Sequence, residues 1–182
     1  LAEDIVRDST LLGMKLGVDD LKSYTPVLHA VDGFGYRDVT VNSATGLSAG
    51  PTLQHALGLL EQNVSDPSAV PDGKLYGAYA AAMNEAYAER LCGFGDSPEG
   101  AIPSCTTHLN VVDREGHVVA LTQTLLSLFG SKAVLPDTGI LMNNGILWFD
   151  PTPDSANSIA PGSRPLSIIF PVITTDPAGF RT

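Results

Sequence analysis

Two threonines in this sequence have the type and spacing for nucleophilic chemistry. Thr106 stands where a Gly- and Pro-rich break ends and a β-rich run begins. Thr107–Asp113 and His117–Thr124 read as two strands around Arg114-Glu115-Gly116. A three-residue hairpin loop ending in Gly suits a type I turn plus a bulge, with the glycine left-handed. If Asp113 pairs with His117, the same register brings Thr106 opposite Thr124. Directly opposed β-carbons lie about 4.5–5.5 Å apart, so two hydroxyls can meet at the open end of the hairpin. Scission of the Cys105–Thr106 bond would free the α-amine of Thr106. Such an amine can act as base for its own hydroxyl. The plainer alternative is a pair of β-branched residues that simply starts a strand.

A second constellation is Gly46-Leu47-Ser48-Ala49-Gly50, which fits the G-x-S-x-G nucleophile elbow between a strand and a helix. Two features weigh against it. Ser43-Ala44-Thr45 separates strand from motif, and the chain is short for the large parallel sheet that presents such a serine. A small-residue loop capping the next helix is the better expectation. Cys92 and Cys105 form no CxxC pair and no disulfide framework. His29, His55, His108 and His117 make no HExxH and no close ligand set. No metal and no cofactor is expected.

Positioning these residues needs a scaffold, and the patterning supplies one. Ala2–Leu12 and Val18–Tyr24 read as helical. Val27, His29 and Val31, then Tyr36, Val39 and Val41, flank Asp32-Gly33-Phe34-Gly35 and predict a β-hairpin around that turn. Gly50-Pro51 opens a helix, with Leu53, Ala56, Leu57 and Leu60 on one face. Asn63–Gly73 is a polar loop. Leu75–Leu91 is an Ala-rich helix that places Glu85, Glu89 and Arg90 toward its polar face. Gly93–Pro103 breaks the chain, and strands are expected again near Ile140–Met142 and Leu166–Thr174. Helices with a hairpin followed by strands suggest an α+β, layered α/β/β/α build.

Composition narrows the function classes. The chain has 182 residues, 43% of them hydrophobic and 16% charged, which excludes an intrinsically disordered chain. A chain of this size buries roughly 70% of its unfolded surface and needs no disulfide staples. The net charge is −10. A phosphate-tracking surface needs clustered Lys and Arg, and ten spread along the chain supply none, so neither nucleic acid nor an anionic membrane is an expected partner. The apolar runs are too short to span a bilayer. No signal-peptide pattern is visible at the start, and the compartment stays open between cytoplasm and periplasm.

The run Cys105-Thr106-Thr107-His108-Leu109-Asn110-Val111-Val112-Asp113 resembles the autocleavage junction of the gamma-glutamyltransferase (gamma-glutamyltranspeptidase, glutathione hydrolase) family. The likeness continues through Gly116, Val119–Thr124, Phe129-Gly130-Ser131 and Thr138-Gly139-Ile140-Leu141-Met142-Asn143-Asn144. It resumes at Ala160-Pro161-Gly162 and Arg164-Pro165-Leu166-Ser167. Upstream, Gly17–Tyr24 looks like the family's "…EDL..Y" segment, and Ala86–Leu91 with Gly95-Asp96 looks like the end of its large chain. The resemblance implies the Ntn-hydrolase fold, two β-sheets between helical layers, here as a fragment. Residues 1–105 would be the C-terminal part of the large chain and 106–182 the N-terminal part of the small catalytic chain. The two halves of the cleaved precursor would be each other's partners, as a heterodimer. By the same resemblance Thr106 is the nucleophile, first on the Cys105 carbonyl and then on the γ-amide of a small-molecule or peptide substrate such as glutathione. Thr124 matches the threonine that hydrogen-bonds it. Asn144 and Ser167 match substrate-binding positions, Ser167 near the substrate carboxylate.

Several positions depart from the family pattern. Leu126 stands where an Asn is usual. Gly145 and Trp148 stand where Glu or Gln, then Asp, hold the substrate α-amino group. Ile168 replaces the second serine of a pair. The segment Gly93–Ser104 is short for the family. The oxyanion Gly-Gly pair would follow Thr182, and the arginine that grips the α-carboxylate would precede Leu1, so the chain looks like the middle of a longer protein. Three readings follow: a gamma-glutamyltransferase-family enzyme, an acylase or amidohydrolase on a non-glutamyl acyl group, and an inactive fragment or homologue.

Overall fold

The computed structural model describes residues 1–65, 70–94 and 104–181. Contacts divide them into two units. The first comprises Leu1–Leu28, residues 104–107 and Gln123–Gly145. The second comprises the described residues between 29 and 94, His108–Thr122 and residues 146–181.

The first unit begins with α1 (Ala2–Leu11), which ends in a Schellman turn: Met14 N–H donates to Ser9 O at 2.9 Å and Gly13 N–H to Thr10 O at 3.0 Å. A short helix α2 (Val18–Ser23) follows, its start tied by Gly17 N–H to Asp20 Oδ2 at 2.8 Å. The buried face of α1 carries Asp8, which is fully buried. One carboxylate oxygen of Asp8 accepts the N–H groups of Asp137 and Thr138, both at 3.0 Å. Arg7 adds an ion pair to Asp137 at 2.8 Å. Asp8 and Arg7 thus pin the tip of a narrow loop that leaves and rejoins the end of a β-strand. Along that loop Leu135, fully buried, bonds Ile140 O, and Met142 N–H bonds Ala133 O. The loop closes tightly at Gly130, where φ is +56° and a β-carbon would lie 2.3 Å from Met142 O. The strand expected at Ile140–Met142 is reduced to one bridge, Val134 to Leu141. The partner backbone runs alongside for a single pair, too short for a ladder.

The second unit holds an antiparallel sheet of order β1-β2-β5-β6. Its strands are β1 (Phe34–Tyr36), β2 (Val39–Ser43), β5 (Val172–Asp176) and β6 (Gly179–Arg181). The first hairpin differs from the sequence expectation. Its turn is Arg37-Asp38, not the glycine-rich stretch 32–35, and residues 27–31 form no strand. Arg37 takes the left-handed conformation, φ +55°, that glycines were expected to supply. A tertiary and a local contact hold it there: its N–H donates to Glu61 Oε1 at 3.0 Å, and its guanidinium lies 5.1 Å over the ring of the neighbouring Tyr36. In the same way the expected strand Leu166–Thr174 is extended only from Val172, where β2 offers a partner edge. Two helices complete this unit, α3 (Gly50–Asn63), with Pro51 in its first turn as expected, and α4 (Gly73–Phe94). They pack through small and aliphatic residues: Ala56, Leu60, Ala82 and Ala86 are buried. Asp72 caps α4, its carboxylate accepting Leu75 N–H at 2.8 Å. The helix takes in Gly93 and Phe94, the first two residues of the expected break, and residues 95–103 lie outside the described residues. No described helix is long and apolar enough to cross a membrane.

The remaining strands, β3 (Ser104–Val112) and β4 (Val118–Ser127), pair as a hairpin. Its loop end belongs to the second unit and its open end to the first. Asp113 N–H donates to His117 O at 3.1 Å, and Gly116 is left-handed at φ +87°, as the loop pattern requires.

Candidate active site

Thr106 and Thr124 lie on β3 and β4 near the open end of the hairpin. The ladder's register is visible one step away. His108 Nδ1 lies 2.6 Å from Thr122 Oγ1, a distance that directly opposed residues allow. Side chains two residues along a strand share a face, so Thr106 follows His108 and Thr124 follows Thr122 on that face. Thr106 is exposed and Thr124 half-buried. Cys105 is part of β3, but its side chain lies outside the described residues.

The last residues of β4, past Thr124, bend sharply before the turn at 128–130. Thr124 Oγ1 accepts the Leu126 N–H at 2.8 Å. Leu126 itself is 4% exposed and has φ +76°, a conformation that Asn tolerates and Leu rarely adopts. Phe129 and Lys132 also have positive φ, so non-glycine strain clusters in this segment. Asn144 secures the turn from the returning arm of the loop. Its Nδ2 donates to Ser127 Oγ at 2.7 Å, its Oδ1 accepts Ser127 N–H at 3.1 Å, and its own N–H donates to Leu125 O at 3.2 Å. The Asn144 amide is therefore committed to Ser127, a residue that the sequence reading passed over. The one available signal was a polar residue closing an otherwise apolar strand end.

A cavity of about 470 Å³ opens beside this turn. Thr107, Gln123 and Thr124 line its polar side, and Leu125, Leu128 and Phe129 its apolar side. Leu128 and Phe129 are well exposed, 53% and 62%, so the cavity has an accessible apolar rim.

Ser167, the other expected binding residue, belongs to the second unit. Its N–H donates to Leu47 O at 2.7 Å, and its Oγ accepts the Ile169 N–H at 3.1 Å. Its carbonyl accepts Arg90 Nη2 at 2.7 Å. The same guanidinium reaches Ser48 O at 2.9 Å and Thr52 Oγ1 at 3.2 Å through Nη1. Arg90 is only 5% exposed, which corrects its expected place on the polar face of the helix. Ala82, Ala86 and Arg90 follow one another at four-residue spacing and share the buried face. Burial pulls the Arg90 pKa below the usual arginine value.

The Gly46–Gly50 segment is a loop that leads into α3, as expected. Ser48 Oγ donates to Ala44 O and accepts Gly50 N–H at 3.1 Å, so it serves loop closure. A β-carbon at Gly50 would lie 1.8 Å from Ala44 O, so the loop admits only glycine there. Among the described residues one trio, the carboxylates of Asp113 and Glu115 with the imidazole of His117, could bring three ligand atoms together. All three are exposed on the hairpin loop. His117 Nδ1 lies 2.7 Å from Asp113 Oδ2, and its hydrogen bond holds the Asp113 carboxyl below the usual range.

This build recurs in solved structures. The crystal structure of cephalosporin acylase from Bacillus halodurans covers 98% of this chain and is covered by it over 38% of its own length, with TM-score 0.83 and 22% identity. The mixed helix-and-sheet chain therefore has the Ntn-hydrolase fold. Residues 97–180 match the family model described as gamma-glutamyltranspeptidase. A glutathione hydrolase proenzyme of Arthroderma benhamiae is 31% identical over 212 aligned positions, 89% of this chain and 36% of the relative. Acylase ACY 1 proenzyme of Pseudomonas sp. (strain SE83) is 46% identical over 68 positions, 37% of this chain and 12% of the relative. The chain belongs to the gamma-glutamyltranspeptidase family. It spans well under half the length of the curated relatives it matches.

Proposed function

We propose that the protein containing this chain is an N-terminal-threonine hydrolase or transferase that cleaves itself before Thr106 and then cleaves gamma-glutamyl-type amide bonds. The threonine hydroxyl attacks the Cys105 carbonyl. The peptide C–N bond breaks as the ester forms, and water hydrolyses the ester to a Cys105 carboxylate and a free Thr106 amine. That amine then takes the proton of its own hydroxyl as the oxygen attacks a substrate amide. The substrate's amine leaves with a proton, and the acyl-enzyme passes to water or to an acceptor amine. In this reading Thr124 donates its proton toward the nucleophile, Asn144 holds the turn beside it through Ser127, and Ser167 meets the substrate carboxylate. The chains 1–105 and 106–182 are then parts of two subunits. The observation that carries the proposal is the His108–Thr122 register, which leads two residues on to the threonine pair.

An acylase reading stays beside it. Leu126, Gly145 and Trp148, standing where the family pattern has polar groups, favour an acyl group without an amino head. Both readings require cleavage. Intact mass and N-terminal sequencing of the full-length product are expected to give a chain starting at Thr106. An uncut polypeptide that turns over no amide would overturn both and leave the inactive homologue.

Thr124→Ala is expected to slow processing and turnover about 5- to 150-fold, since one positioned hydrogen bond is worth about 1–3 kcal/mol. Time courses of processing by mass spectrometry, with kcat from an anilide substrate, measure it. Processing at the unaltered rate would remove Thr124 from the mechanism.

A further inference from the structure

We infer that Arg90 is a positioning residue for the substrate carboxylate, holding Ser167 in place from the far side of the cleavage point; this rests on the proposed role of Ser167. The buried guanidinium joins three segments that are distant in sequence: the loop before α3 through Ser48 O, the first turn of α3 through Thr52 Oγ1, and the Arg164–Ser167 segment through Ser167 O. Ser167 has no regular strand around it to fix its backbone. Its placement depends on two bonds from this knot, one to Leu47 O and one from Arg90. Its own hydroxyl is oriented locally by the Ile169 N–H, so a displaced backbone carries the hydroxyl with it.

Cleavage before Thr106 would place Ser48, Thr52 and Arg90 in one chain and Ser167 in the other. The Arg90–Ser167 bond then becomes a link between subunits, next to the ladder from Thr40 to Thr175 through Ser43 to Val172. The ladder can hold the subunits together without Arg90. What Arg90 adds is the position of one serine relative to the substrate. A guanidinium suits this task, because its rigid fork reaches several carbonyls at once and stays charged when buried. Lysine offers a single ammonium head to the same three acceptors.

The test uses the full-length processed enzyme and two anilides of equal chain length, glutaryl and pentanoyl, which differ in the terminal carboxylate. Wild type is expected to favour glutaryl. Ser167→Ala should erase that preference. Arg90→Met should raise KM for glutaryl about tenfold or more, with kcat changed less than about twofold and pentanoyl turnover unchanged. Arg90→Lys should fall between, and it serves where Arg90→Met does not process. An intact glutaryl preference in the Arg90 variants, with Ser167→Ala losing it, overturns the inference and keeps the Ser167 reading. Equal losses on both substrates also overturn it, since a purely structural arginine gives that pattern. A Ser167→Ala enzyme with undiminished glutaryl preference overturns the Ser167 reading and this inference together.

Discussion

Thr106→Ala in the full-length protein leaves the chain uncut and amide turnover at background: this is the largest effect expected of any single change. One hydroxyl is used twice in the proposed sequence, on the Cys105 carbonyl and on the substrate amide, so its loss blocks the enzyme at two points. Removing a covalent nucleophile from a hydrolase costs on the order of 10⁵–10⁶-fold in kcat. Thr107 offers no substitute, since its side chain leaves the face of β3 opposite to that of Thr106. Ser48→Ala is the matched control. The serine of the G-x-S-x-G segment spends its hydroxyl on Ala44 O and Gly50 N–H, so its loss should loosen the loop and leave catalysis nearly intact. Denaturing gels and intact mass follow cleavage, and an anilide assay follows turnover. Normal cleavage at Cys105–Thr106 in Thr106→Ala would end the assignment of the nucleophile.

The parts of this molecule that were legible from sequence are those in which one local rule decides. Pro51 opens α3, Gly116 takes the left-handed position of the second hairpin, and the blocks around Thr106 and Asn144 carry the family. The misread parts are those in which a distant residue overrides a local rule. Glycines at 33 and 35 looked like a turn, yet the turn is at Arg37, whose N–H is held by Glu61, 24 positions away. Arg90 looked like a solvent-facing charge. Its burial needs three acceptors supplied by residues 48, 52 and 167, and no window around position 90 contains them. Ser127 and Asp8 escaped for the same reason: their partners, Asn144 and the backbone of 137–138, lie 17 and about 130 positions away. The proposed site residues came from the family resemblance and, for the threonine pair, from the hairpin register; the groups that steady them came only from packing.

Substrate choice is where those supporting groups decide between the two enzyme readings. A γ-glutamyl group carries an ammonium and a carboxylate on one carbon. Holding the ammonium in a partly desolvated pocket requires an anionic or amide partner, since an unpaired buried charge is costly. The family pattern puts that partner at positions 145 and 148, where this chain has Gly and Trp. Gly145 instead donates its N–H to Asn143 Oδ1 at 2.8 Å, and a β-carbon there would lie 3.1 Å from the same oxygen. Asp150 is the nearest replacement in sequence. It is 4% exposed, and its Oδ1 accepts the Thr152 N–H at 2.8 Å, an arrangement suited to shaping its own loop. Asn144 gives both ends of its amide to Ser127. Leu126 supplies no polar group, and Trp148 offers an aromatic face to an apolar chain or a cation. A carboxylate without an adjacent amine still has Ser167 to meet. The processed full-length enzyme is therefore expected to cleave γ-glutamyl and glutaryl anilides with kcat/KM values within about tenfold of each other. A γ-glutamyl preference above about 100-fold, roughly 2.7 kcal/mol in transition-state binding, would mean that an anionic group does hold the ammonium. Asp150→Asn would then be the variant to make, and a matching loss of that preference would identify the group and return the enzyme to ordinary glutathione hydrolysis.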